Sequence, residues 1–151
     1  MAQSLAKIVV HIIYHIKTTS VQIREEDNNE LYAFISDVIK RNGSIPILIN
    51  GVEDHLHILC LLSKNMSLAK LVEKIKSDSS RWIKTLHPYY KNFTWQRGYG
   101  GFSISSSTQN GIIQYIENQK EHHKQISFEE EYLMILDTSD TKYDDQYLWT
   151  D

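Results

Sequence analysis

The sequence predicts one domain in which β-strands alternate with α-helices, and three observations lead there. Its 151 residues, 41% hydrophobic and 23% charged, suffice for one well-buried core. Apolar runs of period two near the N-terminus and around residues 45–62 alternate with helical apolar stripes at 25–41 and 67–86. No internal repeat or low-complexity tract interrupts that alternation.

Leu5 to Thr18 predicts a long strand, with Ile8, Val10, Ile12 and Tyr14 on one face and Val9, His11, Ile13 and His15 on the other. His11 and His15 could approach a site, although core or dimer contacts are the plainer reading of two polar residues on a strand. Glu25 to Arg41 predicts a helix from the spacing of Leu31, Phe34, Ile35 and Val38, ended by Asn42-Gly43. Ser44 to Gly51 returns as a strand, and Gly51-Val52-Glu53-Asp54 is a tight link into a second one containing His55-Leu56-His57. Ser67 to Leu86 is amphipathic, with Leu68, Leu71, Val72, Ile75, Trp82 and Leu86 on one side and Lys70, Lys74, Arg81 and Lys84 opposite. Beyond the break at His87-Pro88, residues Phe93 to Ser105 interleave three glycines with aromatics and Arg97, an irregular turn into a strand. No GxxxxGK[ST] pattern is present there, so a phosphate-cradling loop is excluded. Exposed aromatics there would suit stacking on unpaired bases, and buried hairpin aromatics fit equally well. Gly111 to Gln119 carries Ile112, Ile113 and Ile116 as a helical stripe, with Tyr115, Gln119 and His122 along one edge.

Strand alternation puts His55 and His57 on one face of an otherwise apolar run, and two adjacent imidazoles can grip one divalent cation. A histidine pair that merely finds hydrogen-bond partners is the alternative. Cys60 has the opposite parity and reads as a small core residue, which argues against a zinc site of Cys and His. Tyr115 taken alone reads as a half-buried packing phenol. Gln119, one helical turn on, stacks beside it and offers a hard oxygen ligand, better suited to Mg²⁺ or Mn²⁺ than to zinc.

The net charge of −3 hides a division along the chain. Residues 1–116 carry 13 Lys+Arg against 9 Asp+Glu, a balance of +4, whereas residues 117–151 carry 3 against 10, a balance of −7. A modestly basic body is available for phosphates, and the positive stripe of the 67–86 helix is either a rail for a nucleic-acid backbone or an ordinary solvated face. One cysteine excludes an intrachain disulfide framework and fits a reducing cytoplasm. The absence of a long apolar run or a signal-like start leads to the expectation of a soluble cytoplasmic protein.

Four segments together carry a resemblance: Gly51 to Leu59, Ser80-Arg81-Trp82, Trp95 to Ser103, and Tyr115-Ile116-Glu117-Asn118-Gln119 with His122-His123. In order and spacing, over nearly the whole chain, they resemble the single-tyrosine HUH transposases of small bacterial insertion sequences and their REP-associated relatives. The resemblance implies one α+β nuclease domain over 1–151, with an acidic C-terminal segment from about 125. Its antiparallel sheet would have ferredoxin-like or RRM-like order, with the HUH strand central and helices packed on it. It implies Mg²⁺ or Mn²⁺ held by His55, His57 and Gln119, and Tyr115 as nucleophile, leaving a 5′-phosphotyrosine link and a free 3′-hydroxyl. It further implies single-stranded DNA with hairpins as substrate, a homodimer with the tyrosine helix docked in cis or in trans, and no nucleotide cofactor. Lys70, Lys74, Arg81, Lys84 and Arg97 are the expected phosphate contacts. Two other functions fit the same residues: a domesticated nucleic-acid-binding module without turnover, and another HUH nicking enzyme such as a replication initiator or relaxase.

Overall fold

A computed structural model describes residues 2–149 of the chain. Strands β1 (Val9–His15), β2 (Ile45–Gly51), β3 (His55–Leu61) and β4 (Gly100–Ile104) form one antiparallel sheet in the order β2-β3-β1-β4. Helix α1 (Asn28–Arg41) connects β1 to β2 and α2 (Leu68–Leu86) connects β3 to β4, giving the βαββαβ succession of a ferredoxin-like domain. The histidine strand β3 is central, as the resemblance implied.

One face of the sheet is dry. Val10, Ile12 and Tyr14 of β1 and Leu56, Ile58 and Cys60 of β3 pack there against Leu31, Ile35, Val38 and Ile39 of α1 and Leu71, Val72 and Ile75 of α2. Cys60 lies in this core, as its parity predicted, and burial pushes its thiol up to about 12. Helix α2 begins where Ser67 accepts a hydrogen bond from the Lys70 amide and stops at His87 before Pro88.

The other face carries α3 (Gln109–Glu117), α4 (Gln119–His122) and α5 (Phe128–Thr138). Ile112, Ile113 and Ile116 pack with Val9, Leu48 and Leu59, a smaller apolar patch than the one opposite. Asn50 of β2 donates to the Ile116 carbonyl at 2.8 Å and ties the end of α3 to the sheet beside the histidine strand.

Three boundaries differ from the sequence expectation. The first strand starts at Val9 rather than Leu5: its register begins with Val9 opposite Leu61 and Ile104, and ahead of it Ile8 accepts a hydrogen bond from the Leu62 amide at 2.7 Å. Past His15, Ile16 makes an isolated bridge to Trp95. Residues 25–27 form a 3-10 turn before α1. The tyrosine helix, expected from Gly111, begins at Gln109, and the connection ahead of it is only residues 105–108. Of the aromatics around Arg97, Phe93 and Trp95 are buried and Trp95 donates to Ser79 at 3.0 Å, while Tyr99 is 37% exposed.

Candidate active site

The link after Gly51 sets up the site. Val52 donates to the His55 carbonyl at 3.2 Å, closing the turn that delivers Asp54 and His55 to the head of β3. A side chain on Gly51 would meet the His55 carbonyl at 2.3 Å, so the close approach of the two backbones requires glycine there. From His55 the strand's alternation takes over, and both His55 and His57 face α3–α5.

Tyr115 and Gln119 reach them from the opposite side. The helix expected to carry both is interrupted at Asn118, where α3 ends and α4 begins. Hydrogen bonds from Asn118 N–H to Gln114 and from His122 N–H to Asn118 bridge the break, so Gln119 still follows Tyr115 by one turn. Gln119 Oε1 lies 3.3 Å from His55 Nε2 and 3.0 Å from His123 Nε2. The four residues expected at the site therefore meet, within one chain.

At their meeting point stands a residue that the sequence reading left in an acidic run. Glu131 of α5 places Oε1 at 3.0 Å from His57 Nε2, 3.2 Å from His55 Nε2 and 3.1 Å from His123 Nε2. Its Oε2 accepts hydrogen bonds from the Tyr115 hydroxyl and, at 3.1 Å, from Gln119 Nε2, with His122 Nε2 at 3.4 Å. The acidic C-terminal segment thus supplies a carboxylate to the site through Glu131. A signal was present: buried Phe128 and Leu136 and half-buried Ile135 define the inner stripe of α5, and the 3–4 spacing puts Glu131 on it. A carboxylate on a buried stripe needs partners.

Ligand atoms of His55, His57, His123 and Glu131 all lie within 4.8 Å of one another, a separation at which one cation could touch all four. His55, His57 and Gln119 are 0% exposed and Glu131 is 1% exposed, while Tyr115, His122 and His123 at the rim of the cluster are part-exposed.

Burial and proximity set the charges. Burial alone would push the Glu131 carboxyl up, but hydrogen bonds to His123, His55 and His57 hold it well below the carboxylate range. Burial likewise opposes charge on His55, yet hydrogen bonds to Asp54 and Glu131 raise its pKa above the usual value. His57 is pushed down to about 4, chiefly by burial, and His11 to about 3 by burial and then by His57 beside it. The Tyr115 phenol is raised by burial and next by Glu131, so the pocket keeps it protonated. Asp54 Oδ1 lies 2.6 Å from His55 Nδ1 and orients that ring.

The expected phosphate contacts lie elsewhere. Lys70, Lys74, Arg81 and Lys84 are on α2, in the layer beyond the dry face. Lys70 pairs with Glu73 at 3.4 Å, Arg81 with Asp78 at 2.5 Å, and Lys84 donates to Ser80 at 3.0 Å. Arg97 is exposed in a turn held to α2 by Lys76, whose ammonium donates to the carbonyls of Gln96, Arg97 and Gly98.

The chain is similar to known proteins over most of its length. The ISDra2 transposase TnpA of Deinococcus radiodurans is 25% identical to it over 114 residues, 72% of this chain and 81% of that protein. A solved structure from Deinococcus radiodurans R1 shares the fold with a TM-score of 0.60 at 23% identity, covering 79% of this chain and 98% of that one. The REP-associated tyrosine transposase bound to a REP hairpin also shares it, with a TM-score of 0.62 at 14% identity over 83% and 74% of the two chains. Residues 4–119, from ahead of β1 to Gln119, match the family described as IS200-like transposase, and the chain belongs to that family.

Proposed function

We propose that this chain is a metal-dependent single-strand DNA nuclease and strand transferase, with Tyr115 as nucleophile and His55, His57 and Gln119 holding Mg²⁺ or Mn²⁺. The observation that carries the reading is the convergence of the Tyr115 hydroxyl on the buried histidine pair, Gln119 and Glu131 in one cluster of a family member. The donors fit such a cation: imidazole nitrogens with an amide and a carboxylate oxygen are the mixed N/O set that Mn²⁺ accepts and Mg²⁺ tolerates. His123 and Glu131 belong to the same donor set.

When bound, the cation would polarise the scissile phosphate and offset the charge that develops on it. Tyr115 Oη attacks phosphorus, the bond to the 3′-oxygen breaks, and that oxygen leaves as a 3′-hydroxyl while the phenol gives up its proton. The 5′-phosphotyrosine ester retains the energy of the broken bond, so a second 3′-hydroxyl can displace the tyrosine and reseal a strand without a nucleotide cofactor. Glu131 holds the attacking hydroxyl in place and keeps it protonated, so a substrate phosphate has to displace that contact. Tyr115 is part-exposed while His55, His57, Gln119 and Glu131 are buried, so a substrate phosphate reaches the ligand atoms only after a covering element, α5 first among them, moves aside.

Substrate class follows from the family and from the neighbour that is bound to a REP hairpin: single-stranded DNA bearing hairpins. Lys70, Lys74, Arg81, Lys84 and Arg97 are assigned to the hairpin's phosphates and the protein to a homodimer. No helix among the described residues is long and apolar enough to cross a membrane, and we place the protein in the cytoplasm, where its DNA is. Burial of the ligand atoms also suits a DNA-binding module without turnover. Incubation with hairpin-bearing single strands from the element's own flanks and Mn²⁺ decides between them. A covalent protein–DNA adduct supports cleavage, and hairpin binding without any adduct supports the module.

A further inference from the structure

The two histidines of β3 are held from behind by different chemistry. His55 Nδ1 faces a carboxylate, Asp54 Oδ1, which can only accept, so Nδ1 carries a proton whatever stands at the front of the ring. His57 Nδ1 faces another imidazole, His11 Nε2, at 2.8 Å, with the two rings stacked at 5.0 Å and 21°. His11 is 3% exposed and lies against Phe102 on its far side. Both rings are buried on adjacent strands, so their hydrogen bond is enclosed by protein.

The front of His57 makes two incompatible demands. Without a cation, Nε2 lies 3.0 Å from the Glu131 carboxylate, a contact that requires an N–H. With a cation, the same nitrogen has to offer a bare lone pair. A neutral imidazole carries one N–H, so changing the front changes the back: Nδ1 accepts in the first state and donates in the second.

We propose that His11 is a positioning residue for the cation site, donating to His57 in the metal-free state and accepting from it in the loaded one. An imidazole nitrogen can do either, whereas a carboxylate or a carbonyl cannot. The exchange balances. The proton on His57 Nε2 leaves to solvent, the proton on His11 Nε2 crosses to His57 Nδ1, and His11 Nδ1 takes one proton from solvent. Both rings remain neutral, and the buried hydrogen bond between His11 and His57 is kept in both states.

The inference rests on the cation site proposed above, and its test separates the two. Imidazole nitrogen NMR of the wild-type protein, metal-free and saturated with Mg²⁺, should show His57 passing from the Nε2–H to the Nδ1–H form and His11 changing in the same sense. Calorimetric titration with Mn²⁺ should show affinity about 10–100-fold lower in His11→Leu, the usual cost of losing such a partner. His11→Gln, whose amide can turn either its oxygen or its nitrogen toward His57, should stay within a few-fold of wild type. Hairpin binding should be the same in all three. Saturable Mg²⁺ and Mn²⁺ binding with unchanged tautomers, or with His11→Leu as tight as wild type, overturns the inference and leaves the cation site standing. If His11→Leu does not fold, the wild-type spectra decide alone. A wild-type protein that takes up no cation removes both.

Discussion

The two faces of this sheet are built by the same strands and do opposite things. Along β1, Val10, Ile12 and Tyr14 face a core of aliphatic side chains, while His11 and His15, displaced by one residue, face the cluster around Glu131. Along β3, Leu56, Ile58 and Cys60 alternate in the same way with His55 and His57. The dry face is closed by two helices of 14 and 19 residues with regular apolar stripes. The wet face is closed by a helix broken at Asn118 and by α5, whose innermost group is a carboxylate. Burying four imidazoles and a carboxylate is tolerable only because each answers another. Stability therefore comes mainly from one parity and chemistry from the other. Substitutions one residue apart should separate the two.

The sharpest break in that comparison is on the wet face. Tyr115→Phe should abolish the covalent DNA adduct entirely, while thermal stability stays near wild type and hairpin affinity within a few-fold. An adduct that persists in this variant would show the nucleophile to be elsewhere. The dry-face counterpart is Ile58→Ala. Ile58 is fully buried between β1 and the helices, so the cavity should cost about 2–5 kcal/mol in denaturant unfolding. Folded protein at low temperature should still form adduct at close to the wild-type rate. Loss of adduct from a demonstrably folded Ile58→Ala protein would mean that the faces are coupled.

Legibility in the sequence followed the same division. Period-two alternation showed which residues of β1 and β3 share a face, and helical spacing located α1 and α2 to within three residues. Sheet order did not come from periodicity. It came from the resemblance, because which strands pair is decided by contacts far apart in sequence. His55, His57, Tyr115 and Gln119 could be named because a local spacing ties each pair. Glu131 was not, since the one local mark on the last residue of Glu129-Glu130-Glu131 is its 3–4 spacing from Phe128 and Ile135, which names a stripe but no partner, and the match to the family ends at Gln119. His11 was visible only as a polar residue on a strand, its partner being 46 positions away.

Each side of the sheet also has a buried carboxylate, and the dry side's gives a test by pH. Asp27, at the start of α1, accepts from the Tyr90 hydroxyl at 2.5 Å and from Arg24 Nε at 2.9 Å. Burial alone would raise its pKa, but these hydrogen bonds, first Tyr90 and then Arg24, hold it below the ordinary value. A carboxyl depressed by folding contributes stability that is present above its unfolded pKa, near 4, and is lost as pH falls through the folded value. Asp27→Asn should thus cost about 1–3 kcal/mol at pH 7. The gap between variant and wild type should narrow below pH 4. A gap that is constant from pH 7 to pH 3 would mean that shape, and not charge, is what Asp27 supplies.

The smallest effect is expected at the outermost layer, farthest from the cluster. Lys70 and Lys74 lie on the solvent side of α2, where Lys70 has only an exposed pair with Glu73, so their replacement should leave folding within about 0.5 kcal/mol. Lys70→Glu with Lys74→Glu should weaken binding of hairpins and of unstructured single strands several-fold and to the same extent. Phosphate contacts carry no sequence information, so neither substrate is favoured. The loss should shrink as salt rises, since fewer counterions are released by the variant. Adduct formation at saturating DNA should be unchanged, because the stripe is on the layer opposite Tyr115. Unaltered hairpin affinity at low salt would show the stripe to be merely solvated. The hairpin arm would then have to be held on the wet face, beside α5, and both recognition and chemistry would belong to one side of the sheet.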